Sequence, residues 1–168
     1  MSAIVHDFVR PSLQLVSALP PRPQPDTRRT RPLLWIDGDP RMQDVLTAYD
    51  RVGGLWSGDD VTRLLRDRTS QPISLLARWI VDSLVISVAW RGDYLLPAFQ
   101  FDVANATVRR PVFTVLEALG GAMKDLDLAA WFALPHADLG DVAPLDLIDR
   151  DTPAVVGAAL AENRATRG

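Results

Sequence analysis

The chain has 168 residues, 48% of them apolar, a formal net charge of −3 and no cysteine. That describes one globular domain or two small ones, and the missing thiols exclude disulfides, cysteine nucleophiles and cysteine-ligated zinc. No apolar run reaches the roughly 18 residues of a membrane span.

The opening stretch, MSAIVHDFVRPSLQLVSALPP, has no early positive charge, and Asp7 and Arg10 interrupt its apolar run. It is therefore not read as a signal peptide, and a cytoplasmic protein is expected. Charge is uneven: residues 1–31 carry a net +3, whereas Asp125 to Glu162 holds eight acidic residues against Arg150 alone. So acidic a surface repels nucleic acid and steers basic partners, although acidic surfaces also serve solubility alone.

Residues 1–31 read as a mobile arm, because SALPPRPQPDTRRTRP (17–32) is too rich in proline and arginine to bury itself. LLWID (33–37) reads as a short strand that runs into DGDP, with Asp39 as a helix cap and Pro40 at the first helical position. That helix covers about 40–52 and ends at Gly53-Gly54.

In WSGDDVTRLLR, Ser57 and Asp60 have the spacing of a capping box, and Trp56 and Val61 that of a hydrophobic staple. Val61, Leu64 and Leu65 form the apolar face of this helix. Polar DRTSQ turns the chain, and Pro72 opens a helix over 72–82 whose expected core face is Ile73, Leu76, Ala77 and Ile80. VISVAW (85–90) alternates, with Ile86, Val88 and Trp90 on one side, and Arg91-Gly92-Asp93 turns it back.

The returning strand, YLLPAFQF, contains Pro97, which has no amide to donate, so the strand is expected at an edge or bulged there. Alternation points Phe99 and Phe101 together into a core, with Gln100 and Asp102 facing away. Pro111 starts a helix with Val112, Val115, Leu116 and Leu119 on one face, ended by Gly120-Gly121. A helix over about 126–134 carries Leu128, Trp131 and Phe132 on one face. HADLGDVA is a loop, Pro144 opens a short helix (144–149), and Thr152-Pro153 caps and opens the last one, 153–163.

Enzymatic signals are weak. LLWIDGDP resembles the strand-then-DxD nucleophile of haloacid-dehalogenase phosphatases, with Asp37 and Asp39 as the carboxylates. Pro40 follows the DxD, however, Lys124 is the only lysine, and no repeated strand–helix units follow. The only histidines are His6 and His136. His136, Asp138 and Asp141 of HADLGD are candidate metal ligands, but loop spacing does not set a coordination geometry. No Gly-rich phosphate loop is present. Neither catalysis nor a cofactor is expected.

Two short helices and a β-hairpin follow the order of a winged helix-turn-helix. Arg63, Arg66, Arg68, Ser74, Arg78 and Arg91 are the candidate DNA contacts. The second helix, PISLLARWIVD, offers Arg78 as its one positive contact, so a scaffold used for dimerisation or packing is the competing reading.

WFALPHADLGDVAPLDLI (131–148) resembles the toxin-binding domain of the Xre/MbcA/ParS-type antitoxin family, and LPAFQFD (96–102) resembles the stretch that precedes that domain. The resemblance covers about 57–163 and departs from the family pattern at IDRDTP, where a glycine commonly stands. It implies a helical platform that binds a protein toxin, commonly a RES-domain toxin that consumes NAD, together with autorepression of the operon. Carried onto this chain, the toxin-binding residues are Trp131, Phe132, Pro135, Leu139, Gly140, Pro144 and Asp146. Arg164 and Arg167 join them at the C-terminal end, where an arginine suits a pocket built for phosphates.

The expectation is thus a mainly helical α+β protein in three parts. Residues 1–31 are an arm, 32–110 a winged-helix-like module with a β-hairpin, and 111–168 a helical toxin-binding domain. A homodimeric antitoxin is expected, and a stand-alone DNA-binding regulator is the alternative.

Overall fold

The computed structural model describes residues 41–90 and 92–168. The proline- and arginine-rich arm, the 33–37 strand, the Asp39–Pro40 cap, Asp37, His6 and Arg91 lie outside the described residues.

The chain is α+β and mainly helical, with small antiparallel sheets. Helix α1 spans Arg41–Asp50 and ends where Gly54 N–H donates to Tyr49 O at 2.9 Å. Gly53 and Gly54 hold φ of 103° and 75° in that turn, a region open to glycine at little cost. Strand β1 (Leu55–Ser57) follows, a strand the sequence reading did not foresee.

Helix α2 (Gly58–Leu65) starts with the expected capping box. Ser57 Oγ accepts from Asp60 N–H at 3.2 Å, and the Asp60 carboxylate accepts from Ser57 N–H at 3.2 Å. Two orphan donors of the helix start are thereby satisfied reciprocally. Val61 and Leu65 are buried, and Leu64 and Trp56 pack against the same cluster.

Helix α3 spans Pro72–Val81. Its inward face is only partly the expected one: Leu76 is buried and Ile80 packs beside it as expected, but Leu75 and Trp79 take the places expected for Ile73 and Ala77. Ile73 is 74% exposed and Val81 77%, while Ala77 is also exposed. PISLLARWIV is apolar on most sides, so periodicity alone admitted two faces. Tertiary packing chose the one with the larger side chains.

β2 (Val88–Trp90) and β3 (Asp93–Pro97) form the expected hairpin. β1 pairs on the other side of β3, giving the order β1-β3-β2. β3 is therefore the central strand, contrary to the expectation for Pro97. Pro97 fits because it is the last residue of β3: it faces Leu55 of β1, whereas pairing with β2 ends at Leu95.

After Pro97 the chain takes one 3₁₀ turn, Ala98–Gln100, before β4 (Phe101–Asp102), which pairs with β5 (Thr107–Val108). The turn breaks the period of two and overturns the expected facing. Phe99 enters one apolar cluster and Phe101 another. Gln100, expected to face away, is 0% exposed.

Helix α4 (Arg110–Leu119) buries Val112, Val115, Leu116 and Leu119 as expected and ends on left-handed Gly120, φ 57°. Helix α5 (Asp125–Ala133) is buried throughout from Leu128 to Ala133 rather than on one face. Helix α6 is Pro144–Leu147, and α7 runs Thr152–Arg167, longer than expected. Its cap is Asp151, which accepts from Ala154 N–H at 3.0 Å, rather than Thr152. The larger cluster joins Met42, Val45 and Tyr49 of α1 to α4, α5 and α7, so it draws on both sides of residue 110.

Candidate functional site

The segment that carries the family resemblance is built around α5. A run of ring contacts leads into it from α1. Tyr49 stacks on Phe99 with centroids 5.8 Å apart, and Phe99 meets Phe132 at 6.0 Å. Phe132 meets Trp131 edge-on at 5.0 Å, and Trp131 meets His136 at 5.7 Å. Tyr49 Oη donates to Ala129 O at 2.8 Å, and burial pushes its phenol above the usual range.

Beyond α5 the loop closes on itself. His136 N–H donates to Val142 O at 3.2 Å, and His136 O accepts from Leu139 and Asp141. One 3₁₀ turn, Ala137–Leu139, buries Leu139. Gly140 and Asp141 then hold φ of 65° and 61° in succession, which reverses the chain toward Pro144 at the start of α6.

The nine residues expected to contact a partner divide by burial. Trp131, Phe132, Leu139 and Pro144 are buried. They act as anchors that fix the loop, and they present little or no surface of their own. Pro135, Gly140, Asp146, Arg164 and Arg167 are exposed. Asp146 lies 3.7 Å from Arg51 at the end of α1. Arg164 donates through Nε to Leu160 O at 3.1 Å, and Arg167 Nη2 lies 3.5 Å from Gly120 O.

Among the described residues, the buried side-chain atoms Trp131 Nε1, His136 Nδ1 and Asn163 Oδ1 make no hydrogen bond. His136 Nε2 stands 3.9 Å from Glu162 of α7. Among the described residues no group of three or more His, Cys, Asp or Glu is placed to hold a metal. His136 shows why for HADLGD, since its ring packs on Trp131 while Asp138 and Asp141 are exposed.

The expected DNA contacts are placed unevenly. Arg63 pairs with Asp60 at 2.9 Å, and Arg68 donates to Asn105 O. Arg66 is exposed after α2, and Ser74 and Arg78 are exposed on α3. The sequence reading missed that α3 offers Ile73, Ala77 and Val81 alongside those two. The signal was present as an i, i+4, i+8 apolar series. It also missed Leu160, 45% exposed on α7 beside Arg164.

Compared with known proteins, the chain matches no family model, no curated protein and no solved structure. Among the described residues no helix is long and apolar enough to cross a membrane.

Proposed function

We propose that the chain is the antitoxin of a bacterial type II toxin–antitoxin pair and neutralises a RES-like, NAD-consuming toxin by direct binding in the cytoplasm. The observation that carries this reading is the division of 131–148 by burial. Trp131, Phe132, Leu139 and Leu145 anchor a closed loop, and the three aspartates, with Pro135, Gly140 and Val142, are left on the surface. A rigid platform of that kind loses little entropy on binding.

Helix α7 extends the platform and ends in exposed Arg164 and Arg167. Guanidinium groups there suit a toxin cleft shaped for the phosphates of a dinucleotide. The chain is read as a binding protein that catalyses nothing itself.

The element order α1-β1-α2-α3-β2-β3, with the sheet order β1-β3-β2, supports reading residues 41–97 as a winged helix in which the β2–β3 hairpin is the wing. Autorepression by operator binding is the companion role and, without a toxin, the rival one. It draws less support, because the outward face of α3 carries more aliphatic groups than donors to DNA.

The test is co-expression with the toxin encoded beside it. The full chain should restore growth and co-purify with the toxin, and Arg164→Glu/Arg167→Glu should lose both while melting like the parent. A parent chain that neither binds nor rescues, or a double variant that rescues fully, would refute the reading.

A further inference from the structure

We infer that residues 58–84, which hold α2 and α3, form a helical lid that opens from one face of the three-stranded sheet as a single unit while the rest of the fold stays closed. The sheet is a partition between two cores. Trp56 of β1 faces Leu96 of β3, and Leu55 faces Pro97 one place along. Neighbouring residues of a strand point to opposite sides of a sheet. Trp56 and Leu96 accordingly join the smaller cluster together with the lid, while Leu55 and Val88 of β2 join the larger cluster of α1, α4, α5 and α7.

The lid belongs to the smaller core alone. Val61, Leu65 and Leu76 are its buried residues, and Leu64, Leu75, Trp79 and Ile80 pack beside them. No apolar residue of 58–84 is part of the larger cluster or packs against it. By contrast, α4 by itself buries Val112, Val115, Leu116 and Leu119 there. A segment with so few buried apolar groups sits at the low end of local stability. The two helices leave together, because Val61 and Leu65 of α2 and Leu76 of α3 share one cluster.

Both ends of the lid are held by the body. Before it, Ser57 pairs with Leu95 in the sheet. After it, the Gln100 side chain bonds the backbone N–H and carbonyl of Ile86 at 2.7 and 2.9 Å. Opening leaves these bonds in place. It also leaves the stack of Trp56 on Phe101, with centroids 5.7 Å apart, which ties β1 to β4. The capping box at Ser57 and Arg68, which donates to exposed Asn105 O, are polar ties that give way. The open form bares Trp56, Leu96 and Phe101 as an apolar strip, and reaching it requires neither a toxin nor an operator.

Native-state hydrogen exchange of the full chain in sub-denaturing urea tests the lid. Amides of α2 and α3 should exchange through one shared opening, about a hundredfold or more faster than those of α4, α5 and α7. Val155→Ala, in the larger cluster, should speed α4, α5 and α7 about tenfold and leave α2 and α3 unchanged. Leu65→Ala should speed α2 and α3 alike, by about tenfold or more. A Leu65→Ala chain whose lid no longer closes should still protect α4, α5 and α7. If α2 and α3 of the parent exchange no faster than the other helices, or if Val155→Ala speeds all of them equally, the fold opens only as a whole and the inference is overturned. Leu65→Ala acting on α2 but not on α3 would overturn it too.

Discussion

The side-chain amide of Gln100 makes both hydrogen bonds to Ile86 that a neighbouring strand would make. Ile86 N–H donates to Gln100 Oε1 at 2.7 Å, and Gln100 Nε2 donates to Ile86 O at 2.9 Å. The chain before β2 is buried from Val85 to Ser87, so these backbone groups have little water to turn to. Gln100→Leu should cost about 2–5 kcal/mol, since it orphans a buried donor and a buried acceptor. Urea unfolding reads this directly. Gln100→Glu should be no better, because it loses the donor and carries a charge into the core.

Trp131 is 8% exposed, so Trp131→Ala should destabilise the fold by about 3–5 kcal/mol. The same measurement separates anchor from contact. If unfolding is barely changed while toxin binding collapses, Trp131 acts on the surface after all.

The capping box makes a pH prediction. Burial alone would raise the Asp60 carboxyl, but hydrogen bonds from Ser57 Oγ–H and N–H and the nearby Arg63 guanidinium hold it below its ordinary 3.8. A carboxyl depressed by folding contributes stability that is complete above its unfolded value and is lost as pH falls through the folded value. Asp60→Asn should therefore lower stability at neutral pH and flatten the acid limb below about pH 4. An acid limb identical to the parent's would show that the box contributes nothing through charge. Ser57→Ala should cost about 1 kcal/mol through the lost cap.

Gly120→Ala should cost about 1–2 kcal/mol, because φ is 57° and the added Cβ would lie 2.7 Å from Asn163 Nδ2. That nitrogen is not free to swing away, since it donates to Ala118 O at 2.9 Å. Thermal melts of Gly120→Ala with and without Asn163→Ala should be non-additive, as the second change removes the clash.

Where local chemistry decides, the sequence was readable. The Ser57–Asp60 box and the four inward residues of α4 follow from spacing alone. Where two local readings were equally good, packing decided. Helix α3 is apolar on most sides, so beside Leu76 and Ile80 either Ile73 and Ala77 or Leu75 and Trp79 could turn inward, and Phe99 and Phe101 share a side only if no turn intervenes. A three-residue strand such as β1 has too few residues to show a period, and its last residue doubles as the helix cap. At the candidate site the motif was visible, but which of its members are anchors and which are surface is a property of the folded core.

The larger cluster sets limits on dissection. A fragment starting at residue 111 would leave Phe132 without Phe99, and Ala129 O without the Tyr49 hydroxyl. The face of α5 against α1 would stand open to water. Such a piece should be sticky in isolation, so anyone wishing to graft this platform onto another protein would do best to take α1 along with it.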